Sequence, residues 1–421
     1  MSLGVGNGQH KAHRLAVCDL KGGFCDNETH LTIAHATPAI FFRVSTSSKL
    51  VPEARQEMNN IITRVIPFLL VLNLLPVANA QDHISWVLAY YMCYDNNLSI
   101  YKNVIINDLR EGTINSEVTV TVLSDEHETD NLEFHELQAG NVKTRRLLHD
   151  NSASNRTFDR YLREVVRSYP ANRYAIVFLN HGGRLDQMCF DENPGNGSNK
   201  QWLSSVGVGK SLRLVNKELK GRIALVFLQQ CGRGTLESLY NFRDSGELIM
   251  ASQFNVGAPN TYYTETLEWL GRTPTAGASQ LAAKIAETDK HYRTYTTVDG
   301  TALSELPKRV NSYLRKIQPI KQSSLWYGLW PSFRFSGELY FDVGEILKLW
   351  EPYSDDSGAL KSWLQTKLIS SVYRREGYLG YFGDRLGLNL FIPNNEKILL
   401  RYADYPFYQQ TKLHELFRVA R

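Results

Sequence analysis

Hydrophobic and polar positions form alternating blocks along this chain, and these blocks predict strands and helices in turn. Runs that are apolar almost throughout predict strands buried on both faces, and apolar residues at helical spacing recur between them. The predicted strands cover residues 86–92, 118–123, 173–179, 222–228 and 248–252. The predicted helices cover residues 98–109, 157–166, 212–219 and 236–242. Strands that alternate with helices favour an α/β fold with a mostly parallel central sheet.

The pattern changes beyond about residue 275. Longer helices are predicted over residues 282–291 and 307–317, and mixed strands follow, such as residues 388–392. Because no low-complexity linker separates this region from the first, we expect an α+β region that packs on the core. The predicted boundary divides a catalytic core, 81–275, from a C-terminal region, 276–421.

Two of the predicted strands are followed by residues with catalytic chemistry. His181 and Gly182 follow the strand at 173–179, and Cys231 follows the strand at 222–228. Parallel sheets form sites at the carboxyl ends of their strands. A cysteine attacks as its thiolate, and a nearby imidazole takes the proton. The N–H groups of Gly182 and Cys231 could bind the oxyanion of a tetrahedral intermediate. No third, orienting residue is evident from the sequence.

The N-terminal part resembles a secretory signal rather than a folded element. Met58 begins a short basic stretch, residues 65–77 are apolar, and residues 78–80 read Ala-Asn-Ala, which predicts cleavage before Gln81. Residues 58–80 are therefore predicted to be a signal peptide, and residues 1–57 a disordered extension or one that is not translated. We expect a secreted or periplasmic protein with no stable membrane insertion after cleavage, since the apolar run is too short to span a bilayer comfortably.

Composition excludes several other classes of protein. The 421 residues are 43% hydrophobic and 21% charged, with a net charge of +4. Basic and acidic residues are interleaved, so no nucleic-acid partner is expected. The five cysteines show no zinc-ligand spacing, and no metal ligands are predicted from the spacing. Pairing of Cys93 with Cys189 would leave Cys231 as a free thiol, but spacing alone does not establish it.

Several segments together resemble the clostripain-like cysteine peptidases, family C11 of clan CD. The resemblance extends over roughly residues 86–418, and its motifs occur in the family's order. The matching segments are residues 89–98 (AYYMCYDNNL), 169–183 (YPANRYAIVFLNHGG), the Cys231 region with Glu237 and Ala251–Ser252, and 387–393 (GLNLFIP) with Tyr402 and Phe407.

The resemblance implies a caspase-like α/β/α sandwich in which Cys231 is the nucleophile and His181 the base. It also implies that Gln229 and Ser252 contribute to substrate binding. Cleavage after Arg or Lys is implied as well, with self-cleavage and calcium dependence in several members. No other cofactor is expected, and the pair Asp191-Glu192 is only a weak indication of calcium ligands.

Two positions depart from the family pattern. The family commonly has an Asp two residues before the nucleophile, where it pairs with a basic P1 side chain, and here that residue is the neutral Gln229. A buried cation without a counter-charge is costly, so Arg/Lys specificity is not secure. Acids after His181 could substitute, namely Asp186, Asp191 or Glu192. The loop at residues 257–260 also reads differently from the family's usual sequence.

The sequence thus predicts a secreted cysteine endopeptidase that hydrolyses proteins or peptides through a thioacyl-enzyme. Self-processing would require a cleavable bond between the catalytic strands, for which Lys200 and Lys210 are candidates, although solvated loop lysines are common. Two alternatives stay open. One is a catalytically silent clan member that acts as a binding module, and the other is a thiol hydrolase or transferase acting on a non-peptide acyl group.

Overall fold

A nine-stranded sheet forms the centre of the computed structural model, which describes residues 84–125, 131–148, 151–195, 200–321, 324–356, 358–375 and 384–419. The predicted signal peptide and the residues before it lie outside the described residues. The strands are β1 Ile84–Met92, β2 Thr119–Ser124, β3 Asn131–Gln138, β4 Asn141–Leu148, β5 Ala171–Leu179, β6 Gln187–Asp191, β7 Gln201–Ser204, β8 Ile223–Gln229, β9 Leu248–Ala251, β10 Thr294–Asp299, β11 Phe333–Phe335, β12 Glu338–Asp342, β13 Ile369–Arg374 and β14 Asn389–Ile392.

The order of the large sheet is β13-β10-β9-β8-β5-β1-β2-β3-β4. Its five middle strands, from β9 to β2, pair in parallel, and antiparallel strands extend the sheet on both edges. The described part of the chain also forms two smaller sheets, β11-β12-β14 and β6-β7. The prediction of an α/β fold with a parallel central sheet is confirmed.

Helices cover both faces of the sheet. They are α1 Lys102–Gly112, α2 Asn155–Ser168, α3 Ser205–Glu218, α4 Leu236–Tyr240, α5 Tyr263–Arg272, α6 Ala278–Thr288, α7 Leu306–Leu314, α8 Val343–Trp350, α9 Ala359–Trp363, α10 Glu396–Arg401, α11 Pro406–Gln410 and α12 Leu413–Val419. Along β5, Ile176 and Phe178 join one buried cluster while Val177 and Leu179 join the other. The two-sided burial explains why this strand is apolar at successive positions.

The predicted strands and helices are found within a few residues of their expected bounds, except that helix α3 begins at Ser205, seven residues before its predicted start. Strands β3, β4, β6, β7, β10, β11, β12 and β13 were not individually predicted. The β3–β4 hairpin and strands β10 and β13 extend the sheet at its edges. Strands β10 and β13 belong to the part of the chain after residue 275, so that part contributes to the main sheet. The domain boundary itself stays a prediction.

The C-terminal region packs on the segment that follows Cys231. The N–H of Asn389 donates to Gly234 O at 2.7 Å, and the N–H of Phe391 donates to Glu237 Oε1 at 3.1 Å. Burial raises the pKa of Glu237 to about 8.

In the described part of the chain, no helix has both the length and the apolar character to cross a membrane.

Candidate active site

His181 and Cys231 lie at adjacent strand ends. Strands β5 and β8 are parallel neighbours, and Leu179 of β5 pairs with Gln229 of β8. His181 comes two residues after Leu179, and Cys231 comes two residues after Gln229. Gly182 packs directly on the second segment, because a Cβ at position 182 would lie 2.0 Å from the carbonyl oxygen of Cys231. Only glycine permits this approach. The structure therefore brings together the residues that the sequence identified.

The Cys231 thiol is partly exposed and contacts the loop that follows β9. Val256 N–H donates to Sγ at 3.4 Å, and the thiol donates to Val256 O at 3.7 Å. Burial raises the pKa of Cys231, and the Val256 backbone and the positive charge of Arg233 act in the opposite direction. At neutral pH the residue therefore rests as a thiol and requires a base.

His181 supplies a neutral imidazole. Burial lowers its pKa, and Glu192 opposes that shift. Its Nε2 lies 2.8 Å from Asn97 Oδ1. Because an amide oxygen only accepts hydrogen bonds, this contact favours the tautomer in which Nε2 carries the proton and Nδ1 is the basic nitrogen. Within the described residues, Nδ1 has no hydrogen-bond partner, and neither ring nitrogen is bonded to Sγ.

Asn97 was missed in the sequence, although a signal was present. Strand β1 neighbours β5, with Met92 paired to Leu179, so the residues after β1 reach the same sheet edge as His181. The polar run Asp95-Asn96-Asn97 follows β1 directly. Asn96 anchors this turn, since its Nδ2 donates to Phe190 O at 2.7 Å.

The backbone N–H groups of Gly182 and Cys231 are available for an external acceptor. In the described ranges, neither N–H takes part in a hydrogen bond. Preorganised N–H donors of this kind stabilise developing negative charge.

Gln229 is buried and fully engaged in an amide and phenol network. Its Nε2 donates to Asn260 Oδ1 and, at 3.1 Å, to the Tyr263 hydroxyl. Its Oε1 accepts from the Tyr262 hydroxyl at 2.7 Å. Asn260 belongs to the same post-β9 loop as Val256, which contacts Cys231. The loop thus forms a wall beside the nucleophile, with Gln229 behind it.

The carboxylate nearest to this network is Asp289, which is completely buried. Asn260 Nδ2 donates to Asp289 Oδ2 at 2.6 Å, and the Tyr295 hydroxyl donates to the same oxygen at 2.8 Å. A further pair of backbone N–H groups, from Thr261 and His291, bonds Oδ1. This carboxylate is enclosed by its own partners rather than presented beside Cys231.

The three acids considered as substitutes for Gln229 lie elsewhere. Asp191 hydrogen-bonds Ser152, and Glu192 pairs with Lys200 at 3.5 Å. Burial raises the pKa of Asp186, which interacts with Glu338 and Arg233. Among the described contacts, none of the three acids bonds Gln229 or Asn260.

Ser252 follows β9 and is fully buried. Its Oγ accepts from Phe254 N–H at 3.1 Å, and its carbonyl accepts from Gly234 N–H at 2.8 Å. These contacts shape the turn of the post-β9 loop. A role of Ser252 in substrate binding stays a prediction.

The three described cysteines are free thiols, so the structure contains no bond between Cys93 and Cys189. Burial, followed by contact with the Cys189 thiol, raises the pKa of Cys93. Cys231 is more accessible than these two buried thiols. The lysines considered for self-processing differ in setting: Lys200 is exposed directly before β7, whereas Lys210 lies within helix α3.

A buried carboxylate cluster includes Asp95, two residues before Asn97. Ligand oxygens of Asp95, Asp125 and Asp191 are within 4.8 Å of one another, and all three residues are buried. Burial, and then the charge of Asp95, raises the pKa of Asp191 to about 6. Three oxygen donors at this spacing suit a hard divalent cation such as Ca²⁺.

Comparisons with known proteins identify the family and the fold. The model of the clostripain family of C11 peptidases matches residues 90–412. An inactive zymogen C11 protease from Parabacteroides distasonis is 17% identical in sequence, with a TM-score of 0.58 over 78% of this chain and 98% of its own. No curated protein matches the chain.

Two solved structures from Bacteroides thetaiotaomicron have the same fold. One is a secreted C11 cysteine protease in complex with an irreversible peptide inhibitor, which is 16% identical with a TM-score of 0.59 over 77% of this chain and 98% of its own. The other, iotapain, is 14% identical with a TM-score of 0.60 over 78% and 99%. The family match covers more than half of the sequence. The chain therefore belongs to the clostripain family of cysteine endopeptidases.

Proposed function

We propose that this protein is a secreted endopeptidase in which Cys231 is the nucleophile and His181 the general base. One observation carries the proposal. The parallel register of β5 and β8 places the two residues at adjacent strand ends, and Gly182 packs against the Cys231 backbone. A thiol and a neutral imidazole are the pair that thioacyl chemistry requires.

The reaction would proceed in two halves. His181 Nδ1 removes the proton from the Cys231 thiol, and Sγ attacks the carbonyl carbon of the scissile peptide bond. When the tetrahedral intermediate collapses, the imidazolium returns that proton to the leaving amine, and a thioester remains. His181 then deprotonates a water molecule that attacks the thioester, which releases the carboxylic acid and restores the thiol. The N–H groups of Gly182 and Cys231 would hold the oxyanion in both halves.

Asn97 would position the base. Its side-chain oxygen accepts from His181 Nε2 and therefore selects the tautomer with a basic Nδ1. The same contact would stabilise the imidazolium that forms during catalysis. Asn97 would thus have the orienting role that Asn or Asp has beside the catalytic histidine of other cysteine and serine hydrolases.

An uncharged P1 side chain is the substrate that the wall beside Cys231 favours. The amide hydrogens of Gln229 and Asn260 are already donated within the network. The nearest carboxylate, Asp289, is enclosed by four donors. A guanidinium or ammonium placed here would lose its hydration without gaining a counter-charge. The Arg/Lys preference that the family resemblance implies is therefore not what we propose for this chain.

Calcium dependence stays a prediction. Of the described residues, Asp95, Asp125 and Asp191 are those that would hold the ion, because their oxygens converge. A bound cation would supply a counter-charge for three buried carboxylates. The cluster adjoins the turn that carries Asn97, so the ion would support the base rather than take part in proton transfer.

Export is proposed from the sequence of residues 58–80, which lie outside the described part of the structure. N-terminal sequencing of the mature protein tests this directly. A mature N-terminus at Gln81 is expected. Retention of Met1 would show that the export signal is not used.

The proposed activity is tested by incubating wild-type protein and the Cys231→Ala variant with a mixed peptide library. Mass spectrometry of the products identifies the cleaved bonds. Cleavage by the wild type alone, after uncharged P1 residues, is expected. The assignment of Cys231 would be overturned if the wild-type protein, once matured by any self-cleavage that it requires, cleaved no peptide. Equal cleavage by the wild type and the variant would overturn it as well.

A further inference from the structure

Arg233 is a buried arginine two residues after the nucleophile. Only 1% of its surface is exposed, and it is among the largest fully buried side chains. Its guanidinium donates to four backbone carbonyls. Nη2 bonds Gly183 O at 2.7 Å, Nη1 bonds Gln187 O at 2.7 Å and Leu185 O at 3.4 Å, and Nε bonds Cys231 O at 3.4 Å.

These carbonyls belong to the two catalytic segments. Gly183, Leu185 and Gln187 form the turn after His181, and the fourth carbonyl is that of the nucleophile itself. A planar guanidinium has five N–H donors in a fixed fork, so it can bind several carbonyls of one turn at set directions. A lysine ammonium is a compact charge and lacks that fork. The contact pattern therefore matches the chemistry of arginine.

The charge of Arg233 is also unusual in its surroundings. Within the described residues, Arg233 forms no salt bridge. The charged groups nearby are Asp186 and Glu338, and Glu338 pairs with Arg184 and Arg401 instead. Burial of a cation that bonds only neutral carbonyls is unfavourable. An apolar side chain of similar volume would avoid that penalty, so a buried charge at this position points to a role beyond packing.

We propose that Arg233 is a positioning residue that fixes the turn after His181 against the Cys231 backbone, and so sets the geometry between base and nucleophile. The inference rests on the proposed roles of Cys231 and His181. Its fork holds the Gly183–Gln187 turn, and its Nε reaches the carbonyl that Gly182 also contacts. Its positive charge favours the thiolate over the thiol.

The test compares Arg233→Met, which removes the fork and the charge, with Arg233→Lys, which keeps the charge alone. Arg213→Met is the matched control, because Arg213 is half-buried and donates to the Asn241 carbonyl away from the site. Each protein is measured for kcat and KM on one peptide, for Tm, and for the pH dependence of Cys231 alkylation by iodoacetamide, followed on the Cys231 peptide by mass spectrometry.

Arg233→Met is expected to lower kcat by about 100-fold with little change in KM, since small errors of position have effects of that size. Its alkylation profile should move to higher pH. Arg233→Lys should keep the wild-type alkylation profile but recover only part of kcat. Arg213→Met should match the wild type in kcat and in alkylation, whatever its Tm.

Wild-type kcat and an unmoved alkylation profile in a folded Arg233→Met protein would overturn the inference. If the Met variant does not fold, the Lys variant decides, because full kcat there would show that the fork is not needed. Alkylation of Cys231 requires no peptide turnover. Failure of the proposed peptidase activity in the wild type would therefore be visible separately from failure of this inference.

Discussion

The catalytic strand ends and the wall beside them are in contact through Cys231 and Val256, yet they relate differently to the family. His181, Gly182 and Cys231 have the arrangement that the family resemblance implies. Gln229, two residues before the nucleophile, instead joins an uncharged network with Asn260 and two tyrosines. Strand register fixes the position of the first group. The second depends on which side chains meet across a loop, so specificity can change while the chemistry is retained.

The largest effect is expected on the catalytic side, from His181→Ala. Loss of the general base should reduce kcat by about 1000-fold, within the range for acid–base catalysis. In the wild type, the apparent pKa of the acid limb of the kcat/KM profile should be lower than the ordinary pKa of histidine, because burial lowers the pKa of His181. His414→Ala is the matched control, on helix α12. Near-normal turnover by a folded His181→Ala protein would remove the base from the account.

Asn97→Ala should have a smaller effect on the same side. Without its oxygen, the imidazole loses the acceptor at Nε2, and kcat should fall by about 10- to 100-fold. Asn97→Asp keeps an acceptor and adds a charge, so it should retain more activity and shift the acid limb to higher pH. Steady-state kinetics across pH measures both effects. Equal loss in the two variants would contradict the role of the acceptor.

The comparison becomes sharper with Gln229→Glu, which keeps the shape of the side chain and adds a carboxylate. Cleavage after Arg or Lys should rise by about tenfold relative to uncharged P1 residues. The reason is that the new carboxylate would form a charge-assisted hydrogen bond with the basic P1 side chain. Gln280→Glu adds the same charge on the distant helix α6 and should change nothing. Competition between paired peptides measures the ratio. An unchanged P1 ratio in active Gln229→Glu would show that this wall does not contact P1.

The smallest effect concerns the carboxylate cluster. Because the folded pKa of Asp191 is raised to about 6, its contribution to stability is present below the unfolded value near 4 and is lost as pH rises through 6. A bound divalent ion would offset that loss, so Ca²⁺ should raise Tm at pH 8 and raise it less at pH 5. Each kcal/mol that binding adds to the free energy of unfolding corresponds to a rise in Tm of about 2–4 °C.

Asp125→Asn should abolish the calcium effect, whereas Asp159→Asn, on the surface of α2, should preserve it. Thermal melts with Ca²⁺ and with a chelator provide the comparison. The same Ca²⁺ shift in Asp125→Asn and wild type would exclude the cluster as the site of binding.

The adjacency of His181 and Cys231 could be predicted from the sequence, whereas the network behind the wall could not, for physical reasons. Apolar runs that end at His181 and Cys231 report two-sided burial, and the carboxyl ends of parallel strands share one edge. Asn97 required the adjacency of β1 and β5, which periodicity does not reveal. The contact between Gln229 and Asn260 spans 31 positions and closes through a loop, so no local pattern encodes it.

Edge strands were also harder to predict. Strand β10, Thr294–Asp299, has the β-branched residues typical of a strand but is short and follows a helix without a marked turn. Arg233 is not among the residues that the sequence analysis identified. Its importance depends on burial and on four carbonyls from two segments, which exist only once the fold has formed.

The most direct test uses two peptidyl acyloxymethyl ketones that differ only at P1, one with lysine and one with its uncharged isostere norleucine. The adduct is mapped by mass spectrometry, and labelling rates are compared. We predict that both probes modify Cys231 and that the norleucine probe reacts faster. Faster labelling by the lysine probe, or modification of a residue other than Cys231, would contradict the account.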